Sequence, residues 1–233
     1  MTRGGCHSDT QNLPLNLSER ISLPGKEITG EGSKNYQGED AGFGLRPYQS
    51  AAIANLRSAL AGGIKRVILV SPTGSGKTVI AKGIIDGAVA KGRRVMFLAP
   101  RRELIKQTSR TLARAGIDHG TIMAGDELIS ADVQVASWDS LRSWIRRGKI
   151  RAPQMDLLIV DEAHLSLAPT YQALLRDYYP ETPIIGMTAT PARSDGRPLG
   201  GLYQGLIEAA DVRSLIDAGY LVEPRYYAPT KPD

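Results

Sequence analysis

The sequence predicts an α/β fold, a mostly parallel sheet with helices on both faces, and three observations predict it. Short apolar runs alternate with amphipathic stretches along the middle of the 233 residues. One run, Arg66-Val-Ile-Leu-Val70, passes directly into the glycine-rich Ser71-Pro-Thr-Gly-Ser-Gly-Lys-Thr78 and then into a stretch with helical spacing. Another, Asp156-Leu-Leu-Ile-Val160, is apolar almost throughout, as strands buried on both faces of a parallel sheet are, and it ends in Asp161-Glu-Ala-His164.

The composition sets the bounds. A 42% apolar content is ample for one α/β domain, and 233 residues leave no room for two motor-sized domains. The lone Cys6 excludes an internal disulfide and any cysteine-based zinc site. No stretch resembles a signal peptide and no apolar run reaches membrane-spanning length, so the expectation is a soluble, cytoplasmic protein with no membrane partner. The net charge is +5. Residues 1–40 carry four basic and six acidic side chains, so the basic excess lies in the remainder, at +7, where a polyanion could use it.

Taking the elements in order, residues 1–40 are polar, rich in Gly, Ser and Asn, and lack sustained periodicity, which predicts a flexible arm. Cys6 and His7 have no second ligand pair near them, so a solvated tail is the reading for both. Arg46-Pro-Tyr-Gln49 leads a helix over Ser50–Leu60 with Ala52, Ile53, Leu56 and Leu60 inward. A Gln amide donates and accepts together and so matches an adenine edge, although a lone Gln at a helix start is usually a cap.

After the first strand, Gly74 and Gly76 let the backbone curl so that successive N–H groups face inward, and the helix behind them, Lys77–Lys91, adds the positive end of its dipole. Thr73, Gly74, Ser75, Gly76, Lys77 and Thr78 thus form a phosphate cradle: Lys77 reaches the terminal phosphates and Thr78 offers a hydroxyl to Mg²⁺. The P-loop pattern asks for Gly where Ser71 stands, and the residues that carry the phosphate and metal contacts are all present.

Arg94–Ala99 is the next strand, followed by Pro100-Arg-Arg-Glu-Leu104 and a helix to about Ala115. Gly120–Ala124 and Asp132–Ala136 are two short strands ending at Gly125-Asp126 and Ser137-Trp-Asp-Ser140, and Ser140–Arg147 reads as a helix. Trp138 and Trp144 are read as core anchors before base-stacking platforms. Two carboxylates leaving the buried strand 156–160 would be costly without an ionic task. The cradle upstream supplies one: Asp161 holds Mg²⁺ and Glu162 polarises the attacking water. Pro183–Met187 is a further strand ending in Thr188-Ala-Thr190, Asp211–Gly219 a last helix, and Tyr220–Asp233 an extended strap.

Together Arg46-Pro-Tyr-Gln49, Pro72–Thr78, Ala99–Leu104, Asp161–His164 and Thr188–Thr190 resemble, in order and spacing, the first RecA-like motor domain of superfamily 2 DNA/RNA helicases. Residues 190–196, 200–203 and 215–222 look most like the bacterial and phage DEAD/DEAH-box group, related to repair helicases and type I restriction motor subunits. The resemblance implies residues 41–228 as the ATP-binding domain, with 229–233 opening a linker to a second RecA-like domain.

It further implies that Arg46 and Gln49 read adenine, that Lys77, Asp161 and Glu162 are catalytic, and that Thr78 and Asp161 bind the metal. Pro100, Arg101, Arg102, Gly125 and Ser137 would lie on a nucleic-acid track, with DNA favoured over RNA. His164, Thr188 and Thr190 would couple ATP state to that track, while Arg193 is structural or coupling. The second domain of such motors supplies arginines in a Gln-x-x-Gly-Arg-x-x-Arg motif, which this sequence lacks, so the expectation is a truncated or split product whose second half sits on another chain. The function implied is the ATP-binding half of a nucleic-acid-dependent ATPase, weak or inactive alone. The alternative is a non-hydrolysing module that holds ATP and nucleic acid.

Overall fold

The computed structural model describes residues 44–190 and 202–223. The expectations for the arm, for Cys6 and His7, for Arg193 and for the strap beyond Glu223 lie outside them.

Seven strands form one sheet: β1 Arg66–Val70, β2 Val95–Ala99, β3 Gly120–Ile122, β4 Val133–Ser137, β5 Leu157–Asp161, β6 Ile184–Thr188 and β7 Gly205–Glu208. Their order is β3-β4-β2-β5-β6-β1-β7 and every neighbouring pair is parallel. Because each strand is joined to the next by a crossover, helices cover both faces. These are α1 Pro47–Ala61, α2 Lys77–Val89, α3 Arg102–Arg114, α4 Trp138–Arg146, α5 Pro169–Tyr178 and α6 Val212–Asp217.

Alternation along the strands sorts the core into two layers. Val67, Leu69, Phe97, Val135, Ile159 and Ile185 pack with Ile53 and Leu56 of α1, Ile80 and Ile85 of α2, and Ile105 and Leu112 of α3. Ile68, Met96, Leu98 and Val160 face the other way, onto Trp138, Leu141 and Trp144 of α4 and Leu174 and Leu175 of α5. Among the described residues no helix is long and apolar enough to cross a membrane.

Two elements are additional to the sequence reading. Helix α5 opens with Pro169 at its first turn, a signal that could have announced it, but only Leu174 and Leu175 within it are buried, too few to set a period. Strand β7 is a four-residue edge strand with one buried side chain, Ile207.

Between β6 and β7 the chain sets the ring of Tyr203 against Gly186. A Cβ at Gly186 would stand 2.6 Å from Tyr203 Cζ and Oη, closer than real atoms approach. Gly186→Ala is therefore expected to cost about 1–3 kcal/mol by overpacking, with a fall of several degrees in the thermal midpoint of unfolding. An unchanged midpoint would mean that the ring is not held there.

Candidate nucleotide and nucleic-acid site

The carboxyl edge of the sheet gathers the residues singled out from sequence. The cradle leaves β1 and the acidic pair leaves β5, with only β6 between them, so they stand two strand spacings, about 10 Å, apart.

The cradle is fixed from below by side chains and by the neighbouring strand. Ser71 N–H donates to Thr188 O at 2.9 Å, extending the β1–β6 ladder one residue into the loop. The hydroxyls of Ser71 and Ser75, both fully buried, meet at 2.6 Å, and Ser75 Oγ donates to Pro72 O at 2.5 Å. Ser71, where the P-loop pattern has Gly, thus braces the loop across its base. Ser75 points inward and offers only its backbone to a ligand. Gly74 at φ +83° and Gly76 at φ +81° take the left-handed turns the curl requires.

Gly76 caps α2, whose first turn carries no acidic side chain. That turn therefore brings no carboxylate of its own to the first N–H groups of the helix. Lys77 Nζ rests 3.4 Å from Ser71 O, the long end of a hydrogen bond, and Thr78 sits half-buried beside it. Thr73 and Gly74 are exposed at the loop's rim.

Gln49 is hydrogen-bonded within the chain on both sides of its amide. It is 2% exposed; its Oε1 accepts Arg46 N–H at 2.9 Å and its Nε2 donates to Ser75 O at 3.0 Å. Tyr48 Oη donates to the same carbonyl at 2.5 Å. The amide is thus engaged by the chain itself, tying the start of α1 to the cradle. A Cβ at Gly76 would lie 2.7 Å from Gln49 Nε2, so that glycine is required by the contact as well as by its φ.

Asp161, the last residue of β5, is 9% exposed and its Oδ1 accepts Glu162 N–H at 3.0 Å. Burial pushes its carboxyl above the ordinary range; the Glu162 N–H pulls it back, the Glu162 charge raises it, and the charges of Lys77 and His164 lower it. Asp161 and Lys77 thus sense one another across β6. Glu162 has φ 49° and ψ 53°, the left-handed region, and among the described residues no other non-glycine residue has a positive φ. That conformation costs about 1–2 kcal/mol, and it turns the chain into the 3-10 turn Ala163–Leu167. Strain of this kind concentrates at working sites. His164 Nδ1 lies 3.5 Å from Glu162 Oε2 and makes no hydrogen bond among the described residues.

The fit of a divalent cation can be judged from these donors. No cluster of three or more metal-ligating side chains exists among the described residues. Asp161 and Thr78 fit Mg²⁺ in the way that ion is generally held, through one carboxylate, waters and substrate phosphates, without a protein cage.

Thr188 is fully buried, and its Oγ1 donates to Thr190 O at 3.0 Å and accepts Thr190 N–H at 3.2 Å. Its hydroxyl is spent on its own turn, and its link to the cradle runs through its carbonyl oxygen. Thr190 is exposed.

The nucleic-acid candidates occupy the other half of the same edge, beyond β2, β4 and β3. Arg101 and Arg102 are exposed at the start of α3, after the half-buried Pro100. Arg102 Nη2 donates to Ala124 O at 3.2 Å, next to Gly125, and Ala124 N–H donates to Ser140 Oγ at 3.1 Å. The three turns are thereby stitched together. Ser137 is 9% exposed and its hydroxyl caps α4, accepting Ser140 N–H at 3.5 Å, so it shapes the turn without presenting its own side chain. Trp138 is 1% exposed and stacks on Tyr171 at 4.6 Å, which makes it a core anchor and leaves no face for a base.

Comparison with known proteins gives a consistent picture. Residues 42–193 match the family described as type III restriction enzyme, res subunit. The chain is 30% identical over 168 residues to the type I restriction enzyme EcoAI endonuclease subunit of Escherichia coli, covering 68% of this chain and 21% of that protein. It is 30% identical over 155 residues to the DNA 3'-5' translocase XPB2 of Sulfurisphaera tokodaii, covering 66% of this chain and 32% of that one. Its fold is similar to the helicase domain of Pyrococcus furiosus Hef, with a TM-score of 0.57 and 22% identity over 73% of this chain and 39% of the other. The chain spans about a third of the length of the curated relatives it matches.

Proposed function

This chain belongs to the family of the type III restriction enzyme res subunit and has the first RecA-like domain of a superfamily 2 helicase, and from that premise we propose that it is the ATP-binding half of a nucleic-acid-dependent ATPase. The observation that carries the reading is the arrangement of the carboxyl edge. A glycine cradle with an available lysine stands across one intervening strand from a buried aspartate followed by a strained glutamate.

Bound Mg²⁺ supplies charge neutralisation at the phosphate oxygens. Asp161 and Thr78 hold it, the N–H groups of residues 74–78 and Lys77 grip the phosphates, and Glu162 orients and deprotonates the attacking water. Arg101 and Arg102 hold the backbone of a nucleic acid, DNA in the reading that the sequence resemblance favours, without reading bases. Thr188 carries the state of the cradle toward that track, since its carbonyl is bonded to Ser71 and its hydroxyl to the exposed turn at Thr190.

A second RecA-like domain, in cis or on another chain, completes the ATP site with arginines that this sequence lacks. The test is ATP turnover in the presence of such a domain, with and without single-stranded DNA. Stimulation by DNA supports the coupled ATPase, and turnover indifferent to DNA contradicts it.

A further inference from the structure

The edge of the sheet opposite the cradle carries a run of cations that the nucleotide site does not use. Arg146-Arg-Gly-Lys-Ile-Arg151 places four of them in six residues, and from Leu141 to Met155 the sequence has no acidic residue. Arg146 closes the last turn of α4 and Arg147 caps it, where cations complement the helix dipole. Lys149 and Arg151 lie past that helix, so the dipole gives no reason for them. All four are exposed, and none has an ion-pair partner among the described residues.

These side chains converge on one place. The loop after α4 runs to Asp156, whose N–H donates to Arg94 O at 2.8 Å and whose carboxylate accepts from the Arg94 guanidinium at 3.3 Å. Lys149 and Arg151 line, with Arg94, a recess of about 700 Å³ in which Asp132 is the one acidic lining residue. The ring of Trp144 is 7% exposed and has the Lys149 ammonium 3.7 Å from its centroid, so it offers no platform for an unpaired base. Exposed charge without an open ring suits the phosphates of a duplex. Arg94 stands just before β2 and Arg101 soon after it, and that strand has five residues. The recess and the track are therefore about 20 Å apart, the rise of roughly six base pairs. We propose that Arg147, Lys149 and Arg151 form a second nucleic-acid contact, which grips the backbone of duplex DNA flanking the track. The proposal rests on the nucleic-acid reading above and goes beyond it by giving the bound molecule a second landing place, on the opposite edge of the sheet.

Fluorescence anisotropy of the full chain tests it, with a labelled DNA strand of about 10 nucleotides, alone or continued by a duplex of about 20 base pairs. The wild type is expected to bind the duplex-bearing DNA about tenfold more tightly than the bare strand. Arg147→Ala, Lys149→Ala and Arg151→Ala combined are expected to remove that advantage and to lower the slope of log affinity against log salt for the duplex-bearing DNA by about three. Affinity for the bare strand should stay unchanged, which also shows the variant to be folded. Arg147→Lys with Arg151→Lys is expected to keep the advantage, since a phosphate contact of this kind needs charge more than shape. A wild type without a duplex advantage, or a triple variant that retains it, overturns the proposal. So does a triple variant that weakens both DNAs alike, which would make the loop a source of general field. A triple variant that loses affinity for poly-L-glutamate alone also overturns it, and would make the recess, with Leu128 49% exposed in its lining, a face for acidic protein. A wild type that binds neither DNA would defeat the nucleic-acid reading itself.

Discussion

Supplying a second RecA-like domain in trans, from a homologous helicase, is expected to raise ATP turnover by this chain about 10³- to 10⁵-fold, or roughly 4–7 kcal/mol of transition-state stabilisation. The reason is electrostatic. As the terminal phosphoryl group transfers, charge spreads over its oxygens, and among the described residues Lys77 and the N-terminus of α2 are the positive groups within the cradle itself. Arginines from across the cleft supply the remainder in motors of this class, and the sequence has no Gln-x-x-Gly-Arg-x-x-Arg motif of its own. Steady-state phosphate release, measured over a range of second-domain concentrations with single-stranded DNA present, reads the effect directly. Turnover that stays at the isolated-chain rate at every concentration would contradict the half-site account.

Glu162→Gln is the second large effect. In the complemented system it is expected to lower single-turnover hydrolysis by about 10²- to 10⁴-fold, the range for loss of a general base, with ATP affinity kept. The substitution preserves shape. Glutamine is no better and no worse than glutamate in the left-handed conformation at φ 49°, and the Glu162 N–H that Asp161 accepts is a backbone group untouched by the change. Hydrolysis within tenfold of the wild type would remove Glu162 from the reaction. Nucleic-acid affinity that survives the substitution and ignores nucleotide would instead favour the non-hydrolysing module.

The parts of this molecule that were legible in the sequence are those written locally. The run from Val67 to Val70 is apolar because the strand lies inside the sheet, and the glycines at 74 and 76 follow it because the chain must curl at once. The same holds for the apolar strand before Asp161. Strand order and parallel pairing follow the switch-point logic of doubly wound sheets, which is why the cradle and the acidic pair share one edge. What local pattern does not carry is contact between remote segments. Nothing around Gln49 says that Ser75 O will take its amide, and nothing around Tyr220 says that Arg46 will lie over its ring. Glycine 186 reads as a small residue in a strand until Tyr203 is seen set against it. Ser137 stands at a strand end where exposure is the ordinary expectation; the helix starts at the next residue, which turns the hydroxyl into a cap.

All of these roles presuppose that Mg²⁺·ATP lodges at the carboxyl edge, held by the loop after β1. The direct measurement is the dissociation constant of Mg²⁺·ATP for the wild type and for Lys77→Ala, with circular dichroism to establish that both are folded. The half-buried Lys77 has its ammonium near Ser71 O and no core-packing duty, so the variant is expected to fold normally and to bind about 10- to 100-fold more weakly, the worth of a charged hydrogen-bond donor. Equal affinity in the two folded proteins would contradict the account at its root.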